Sequence, residues 1–115
     1  MIDPSSIPSK SINIKELLSR YAAGQRDFRN LNLIAVNLRN LNLRGIDLSG
    51  SNLAHANLTR TNLSHANLSG VTLVSAKFLG TNFTQANLAN ANLSDTVLDN
   101  ANFSSASLTG ATMPT

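Results

Sequence analysis

The chain contains no cysteine and no tryptophan, and only 4% of its 115 residues are aromatic. Without cysteine there is no disulfide framework and no thiol chemistry. A globular core of this length would normally carry more large rings, so the hydrophobic interior is built from something else. Prolines number three, two of them (Pro4 and Pro8) within the first ten residues. No apolar run approaches the length of a membrane span, and the first ten residues lack the basic-then-apolar order of a signal peptide. Acidic residues number six and are scattered.

What is present is a period. A hydrophobic residue recurs every fifth position from Phe28 through Leu33, Leu38, Leu43 and onward to Met113, eighteen times without an insertion. Neither regular element uses such a spacing. On an α-helix at about 100° per residue, five steps turn each leucine by roughly 140° from the last. On a flat strand an odd spacing sends successive leucines to opposite faces. All eighteen share one core only if the chain bends once per repeat, which describes a solenoid.

The remaining positions fit that geometry. Two residues before each central Leu or Phe stands a small or β-branched residue in fourteen repeats, such as Ala56, Thr61 and Ala66. Alternation turns it inward beside the central residue. The residue immediately before the centre is Asn or Asp in thirteen repeats and points outward, where a short amide can bond the local backbone at a bend. The second residue after the centre is Gly or Asn in nine repeats, the two types that best tolerate a positive φ.

The pattern is clearest over residues 51–70, SNLAHANLTRTNLSHANLSG. This A(N/D)LxG-like motif resembles the pentapeptide-repeat family, and the resemblance covers residues 26–115. The segment Glu16–Phe28, ELLSRYAAGQRDF, and the ending Gly110–Pro114 look like those of cyanobacterial members. The resemblance implies an all-β solenoid, a right-handed quadrilateral β-helix with one repeat per face and four per coil. About four and a half coils follow, roughly 22 Å long at 4.8 Å per rung.

Before the repeats, Asn13 and Glu16 fit a capping box, Ile12 and Leu17 a hydrophobic staple, and Gly24 a C-terminal stop. A helix of about Ile14 to Ala23 puts Ile14, Leu17, Leu18 and Tyr21 on one side, suited to covering the first coil. The bulky inner residues Leu31, Leu41 and Ile46 are placed to meet it. The organisation expected is a flexible tail over 1–11, a short N-terminal capping α-helix over 12–24 and the β-helix over 25–115, in a cytoplasmic protein.

Function is less legible. An enzyme needs polar groups converging in a concavity, and a filled solenoid offers none. His55 and His65 lie ten residues apart, on opposite sides of a four-sided coil, and cannot share a metal. Asp95 and Asp99 could approach around a corner, which is a weak cation claim. No nucleophile motif, phosphate loop or zinc spacing is present. No catalytic residue, cofactor, metal, small-molecule substrate or membrane contact is expected, and nucleic acid binding is disfavoured because the basic patch is small and lacks interleaved aromatics.

The outer surface carries two signals. Ile34, Ala54 and Val74, twenty residues apart, form an outward apolar column, with Leu79 and Val97 on the next face. Scattered surface hydrophobics are common, and a partner or self-association surface reads equally from these positions. Residues 1–60 hold eight of the nine Lys/Arg and four acids, whereas residues 61–115 hold Lys77, Asp95 and Asp99. Arg39, Arg44 and Arg60 stand among the early coils, with Arg26 in an inward-type position at the helix junction. Arg39, Arg44, Arg60, Ile34 and Val74 are therefore the candidate protein-binding residues of a non-enzymatic interaction module. Dimerisation through the C-terminal coil is a second expected contact, since Phe103, Leu108 and Met113 have no evident cap. The family resemblance also implies an alternative, a gyrase-interacting mimic of duplex DNA. The net charge of +3 opposes it, because such a mimic needs an acidic rod.

Overall fold

The computed structural model describes residues 10–115. Helix α1 spans Ile14–Ala22. Asn13 begins it: its side chain accepts from the Glu16 N–H at 2.8 Å, satisfying one of the donors a helix start leaves open. The reciprocal half of a capping box is not made, because the Glu16 carboxylate turns along the helix to pair with Arg20. The end is closed by Gly24 at φ +104°, with the Gly24 N–H donating to the Tyr21 carbonyl and Gln25 to Arg20, each at 3.0 Å. Leu17 is fully buried in the main core, and Ile12, Ile14, Leu18 and Tyr21 pack against it. The Tyr21 hydroxyl donates to the Arg44 carbonyl at 2.6 Å, tying the helix to the first coil.

From residue 27 onward the backbone pairs with itself in parallel at a fixed offset of twenty residues: Asp27 with Asp47, Asn32 with Asn52, Asn37 with Asn57, Asn42 with Asn62, and so on to Asn92 with Thr112. Each pairing is an isolated bridge rather than an extended strand. One coil is thus four pentapeptides, and its faces are numbered here by the residue before each centre: face 1 (27, 47, 67, 87, 107), face 2 (32, 52, 72, 92, 112), face 3 (37, 57, 77, 97) and face 4 (42, 62, 82, 102). Lys10, placed in the tail by the sequence, pairs with Leu31; residues 1–9 of the expected tail lie outside the described residues.

Residues 61–65 show why each position has its residue type. Thr61 N–H donates to Leu58 O at 3.0 Å, closing a turn; Asn62 N–H reaches back to Leu41 O at 2.9 Å; Leu63 and His65 N–H reach forward to Asn82 O at 2.8 Å and Thr84 O at 2.9 Å. The fifth donor, Ser64 N–H, has no carbonyl in range and is taken by the Asn62 Oδ1 at 3.0 Å. Every backbone donor of the repeat is satisfied, and the outward Asn is the acceptor the coil itself cannot supply. All thirteen Asn or Asp at this position, from Asp27 and Asn32 to Asn92 and Asn102, accept in this way. A Ser or Thr in the next outward position adds its hydroxyl to the same oxygen, as Thr84 does to Asn82 at 2.5 Å.

The turn that closes each repeat fixes its own constraint. All seventeen residues two past a centre, from Asn30 to Gly110, have φ between +56° and +72°, the left-handed conformation a type II turn needs at its third residue. Where Gly or Asn is absent, Ala35, His55, Arg60, His65, Ser75, Gln85, Asp95 and Ser105 adopt it all the same. Cumulative pairing therefore overrides local preference. At Gly50 a Cβ would come within 2.2 Å of the Asn30 Oδ1 one coil earlier, so a larger residue there would require the Asn30 amide to turn aside.

The core is a stack of central residues. Leu38, Leu43, Leu48, Leu53, Leu58, Leu63, Leu68 and Leu73 are fully buried. Phe83 lies over Phe103, one coil on, with ring centroids 4.8 Å apart and planes 10° from parallel. The inward Thr61 and Thr81 hydroxyls donate to Leu38 and Leu58 carbonyls at 2.7 and 2.5 Å, and among the described residues no buried side-chain nitrogen or oxygen lacks a partner. In the last coil Leu98, Phe103 and Leu108 are only partly buried and Met113 is exposed.

Two consequences are measurable by chemical denaturation. Leu63→Ala removes a filled layer with no room to collapse and is expected to cost about 2–5 kcal/mol. Ala35→Gly relieves a left-handed alanine and is expected to stabilise by about 0.5–1 kcal/mol, the reverse of the usual effect of glycine.

Candidate interaction surface

Outward positions carry whatever chemistry the coil presents. The bridges and cross-coil bonds distribute the five candidate residues over three faces. Ile34 and Val74 belong to face 2, in one column with Ala54 between them, roughly 10 Å apart at two rungs. Ile34 is 51% exposed and Val74 is half-buried. Arg39 and Arg60 meet at one corner of face 3: the Asn40 N–H donates to Thr59 O at 2.9 Å, setting Asn40 directly over Arg60 and Arg39 beside it. Both arginines are exposed. Arg44 is on face 4, where its Nη1 lies 3.4 Å from the Ser64 hydroxyl one coil on and its carbonyl holds Tyr21.

Arg26 departs from the inward reading. It is exposed; its guanidinium folds back to 3.7 Å from the Tyr21 ring centroid and donates to the Tyr21 and Gln25 carbonyls at 2.9 Å. The charged end thus lies outside the core, on an aromatic face. Arg29 is likewise engaged, its Nε and Nη2 donating to Asp27 at 2.9 and 3.0 Å. That pairing holds the Asp27 carboxyl below its ordinary value. Among the described residues Arg39 and Arg60 make no side-chain hydrogen bond or ion pair, so theirs are the uncommitted cations of the early coils.

Face 3 differs from the others. Its outward Asn37 and Asn57 are followed by Lys77 and Val97, neither of which accepts a hydrogen bond, so the Leu79 and Asp99 N–H groups lack the oxygen that thirteen Asn and Asp supply at this position. Of the twenty-residue pairings from 27 to 112, only the one between 77 and 97 is missing. Beside it the Gly80 N–H bonds Asn100 O at 2.8 Å, one residue beyond the regular partner, and the Thr96 hydroxyl takes the Leu93 carbonyl at 2.6 Å. The loosened rung opens a shallow cleft of about 440 Å³ lined by Lys77, Leu79, Asp95, Val97 and Asp99 among others. Leu79 and Val97 are 53% and 71% exposed. The sequence marks the place by the loss of Asn at two successive positions of one column, a signal visible only once the column is known.

A second cleft, of about 410 Å³, lies between α1 and the first coil, and of its charged lining Arg20 is paired with Glu16 and Arg29 with Asp27, while Lys10 is in neither pair. His55 and His65 are exposed, and among the described residues no three His, Asp or Glu side chains converge. No helix of the described residues is long and apolar enough to cross a membrane.

A family model described as pentapeptide repeats matches in overlapping segments spanning residues 27–113, with eight copies. The chain belongs to the pentapeptide repeat family. Among solved members, HetL, a pentapeptide repeat protein involved in heterocyst differentiation regulation from the cyanobacterium Nostoc sp. strain PCC 7120, is 38% identical over 87% of this chain and 46% of its own, with a TM-score of 0.46. The chain therefore spans about half the length of HetL. Another pentapeptide repeat protein, alr5209 from Nostoc PCC 7120, is 31% identical over 92% of this chain and 88% of its own, with a TM-score of 0.48. QnrB1, a plasmid-mediated fluoroquinolone resistance protein, is 22% identical over 76% of this chain and 55% of its own, with a TM-score of 0.50; that likeness concerns the fold. No curated protein matches the chain.

The Asp27–Arg29 pair gives a direct check. A folded-state pKa below the unfolded value contributes stability that is present above the unfolded pKa and lost as pH falls through the folded one. Carboxyl NMR titration is expected to place Asp27 below the ordinary 3.8, and Arg29→Ala to move it upward.

Proposed function

We propose that this pentapeptide repeat protein is a non-enzymatic interaction module, a rigid right-handed quadrilateral β-helix that binds a protein partner through its outer faces. The observation that carries the reading is the corner of Arg39 and Arg60: two exposed cations with no partner among the described residues, on a rod whose other early cations Arg20, Arg26 and Arg29 are engaged internally. Arg44 extends the basic surface to the adjoining face, and Ile34 and Val74 supply an apolar column on the other side. An acidic protein surface complements this arrangement, with the attraction serving orientation and encounter rate as much as affinity. In this reading α1 caps the first coil, the last coil offers a second, end-on contact through Phe103, Leu108 and Met113, and the setting is cytoplasmic.

The gyrase-directed alternative remains disfavoured by a net charge of +3, which a basic DNA-binding surface would repel. The likeness to QnrB1 adds nothing to it beyond the fold.

The test is capture from a cyanobacterial lysate followed by mass spectrometry, comparing the protein with an Arg39→Glu, Arg44→Glu, Arg60→Glu variant whose fold is first verified by circular dichroism. A partner retained by the wild type and lost from the variant is expected. Identical captures, or none, would remove the basic surface as the docking site.

A further inference from the structure

Face 3 carries more than its basic corner. Read from the first coil to the last, its outward residues change character in order. Arg39 stands on the first rung and Arg60 on the second, uncommitted and exposed; Leu79 stands on the third; Val97 and Asp99 share the fourth, with Asp95 at its corner with face 2, at the rim of the cleft. Leu79 and Val97 are two of the four large hydrophobic side chains exposed among the described residues. Lys77 lines the same cleft. The column is continuous, since the Arg60 N–H bonds Leu79 O and the Gly80 N–H bonds Asn100 O, each at 2.8 Å. Cations and carboxylates are therefore separated by two to three rungs, roughly 10–14 Å, with an apolar step between them.

A surface with its cations on the first three rungs, its carboxylates on the fourth and apolar side chains on the third and fourth presents opposite charges to itself when turned by half a rotation. We propose that face 3 joins two copies of this chain in a side-by-side, two-fold dimer. In an isologous contact each pair occurs twice: Arg39 and Arg60 of one copy face Asp99 and Asp95 of the other, and the reverse. The midpoints of these pairs fall between the second and third rungs and on the third, so the rotation axis passes just before the third rung and sets Leu79 close to its own counterpart. A further feature suits this face to the role. The Leu79 and Asp99 N–H groups have no asparagine acceptor and belong to exposed residues, available to carbonyl or carboxylate oxygens of the second copy.

The proposal rests on the reading that the outer faces are the working surface, and it assigns one of them a partner, a second copy of this chain. The contact is small. Four rungs of one face present on the order of 300 Å² per copy, from the rung and strand spacings, against about 800 Å² in a standard interface. The dimer is therefore weak, forms at high protein concentration and loosens with salt, because its end contacts are exposed ion pairs.

Sedimentation velocity over micromolar to millimolar concentrations, at low and high salt, provides the test. The wild type is expected to move from its 12.2 kDa monomer toward twice that mass, with weaker association at high salt. Two charge-reversed variants are made: Arg39→Glu with Arg60→Glu, and Asp95→Arg with Asp99→Arg. Each alone presents like charges to its own copy and is expected to weaken dimerisation at least roughly tenfold. Mixed together, an all-acidic face meets an all-basic one, and association is expected to return. Leu79→Ser is a separate probe of the apolar step, with circular dichroism confirming the fold of every variant. A wild type that stays monomeric throughout, a dimer that survives both reversals, or a mixture that fails to restore association would each overturn the proposal. Monomeric behaviour combined with charge-dependent capture of a different protein would overturn it while leaving the interaction-module reading in place.

Discussion

The structure depends on one hydrogen bond that the backbone cannot make for itself. In each pentapeptide, four of the five N–H groups find carbonyls, one across a turn and three in neighbouring coils. The donor just after the central residue finds none, and in thirteen repeats the Asn or Asp two residues earlier supplies the oxygen. An uncapped donor at each of those thirteen bends would be a large cumulative cost. The same side chain also fixes the bend, because the oxygen reaches that N–H only when the chain turns. The twenty-residue ladder, the aligned leucine layers and the flat faces follow from repeating that closure.

This arrangement also answers a topological question. Parallel strands ordinarily need a long crossover, usually a helix, to return the chain to the same end of the sheet. Here the return path is the coil itself: the three pentapeptides that lie on the other three faces and pair there in turn. No segment is merely a connection. The price in local conformation is a left-handed residue every fifth position, and alanine, histidine, arginine and serine accept it because both neighbouring coils hold the backbone in place.

Most of the architecture was legible in the sequence because it rests on repetition. The period placed every central residue, and the Asn, small-residue and Gly positions gave the direction of each side chain. The start of α1 at Asn13 was equally plain, since capping is a local matter. Arg26 was not: the period gives it an inward-type position, but a charged guanidinium is costly to bury and lies instead on the Tyr21 ring, bonded to local carbonyls. The surface was the least legible part. Arg39 and Arg60 lie twenty-one residues apart in sequence and at one corner in space, while Arg44, only five from Arg39, belongs to another face. The loosened rung between Lys77 and Val97 depends on two substitutions in a column that becomes apparent only after the fold is drawn.

The repetition treats interior and exterior unequally. Every face supplies the interior with the same kind of side chain, so inserting or deleting one pentapeptide would leave the leucine layers intact. On the outside the same event would advance every later residue by a quarter turn. Arg39 and Arg60 would lose the neighbours now aligned beneath them, and Leu79, Val97 and Asp99 would move to a different side of the rod. Length can therefore vary in steps of five with little effect on folding, whereas a surface pattern spanning several coils survives only changes of twenty. The outer faces are held to a stricter frame than the core that supports them.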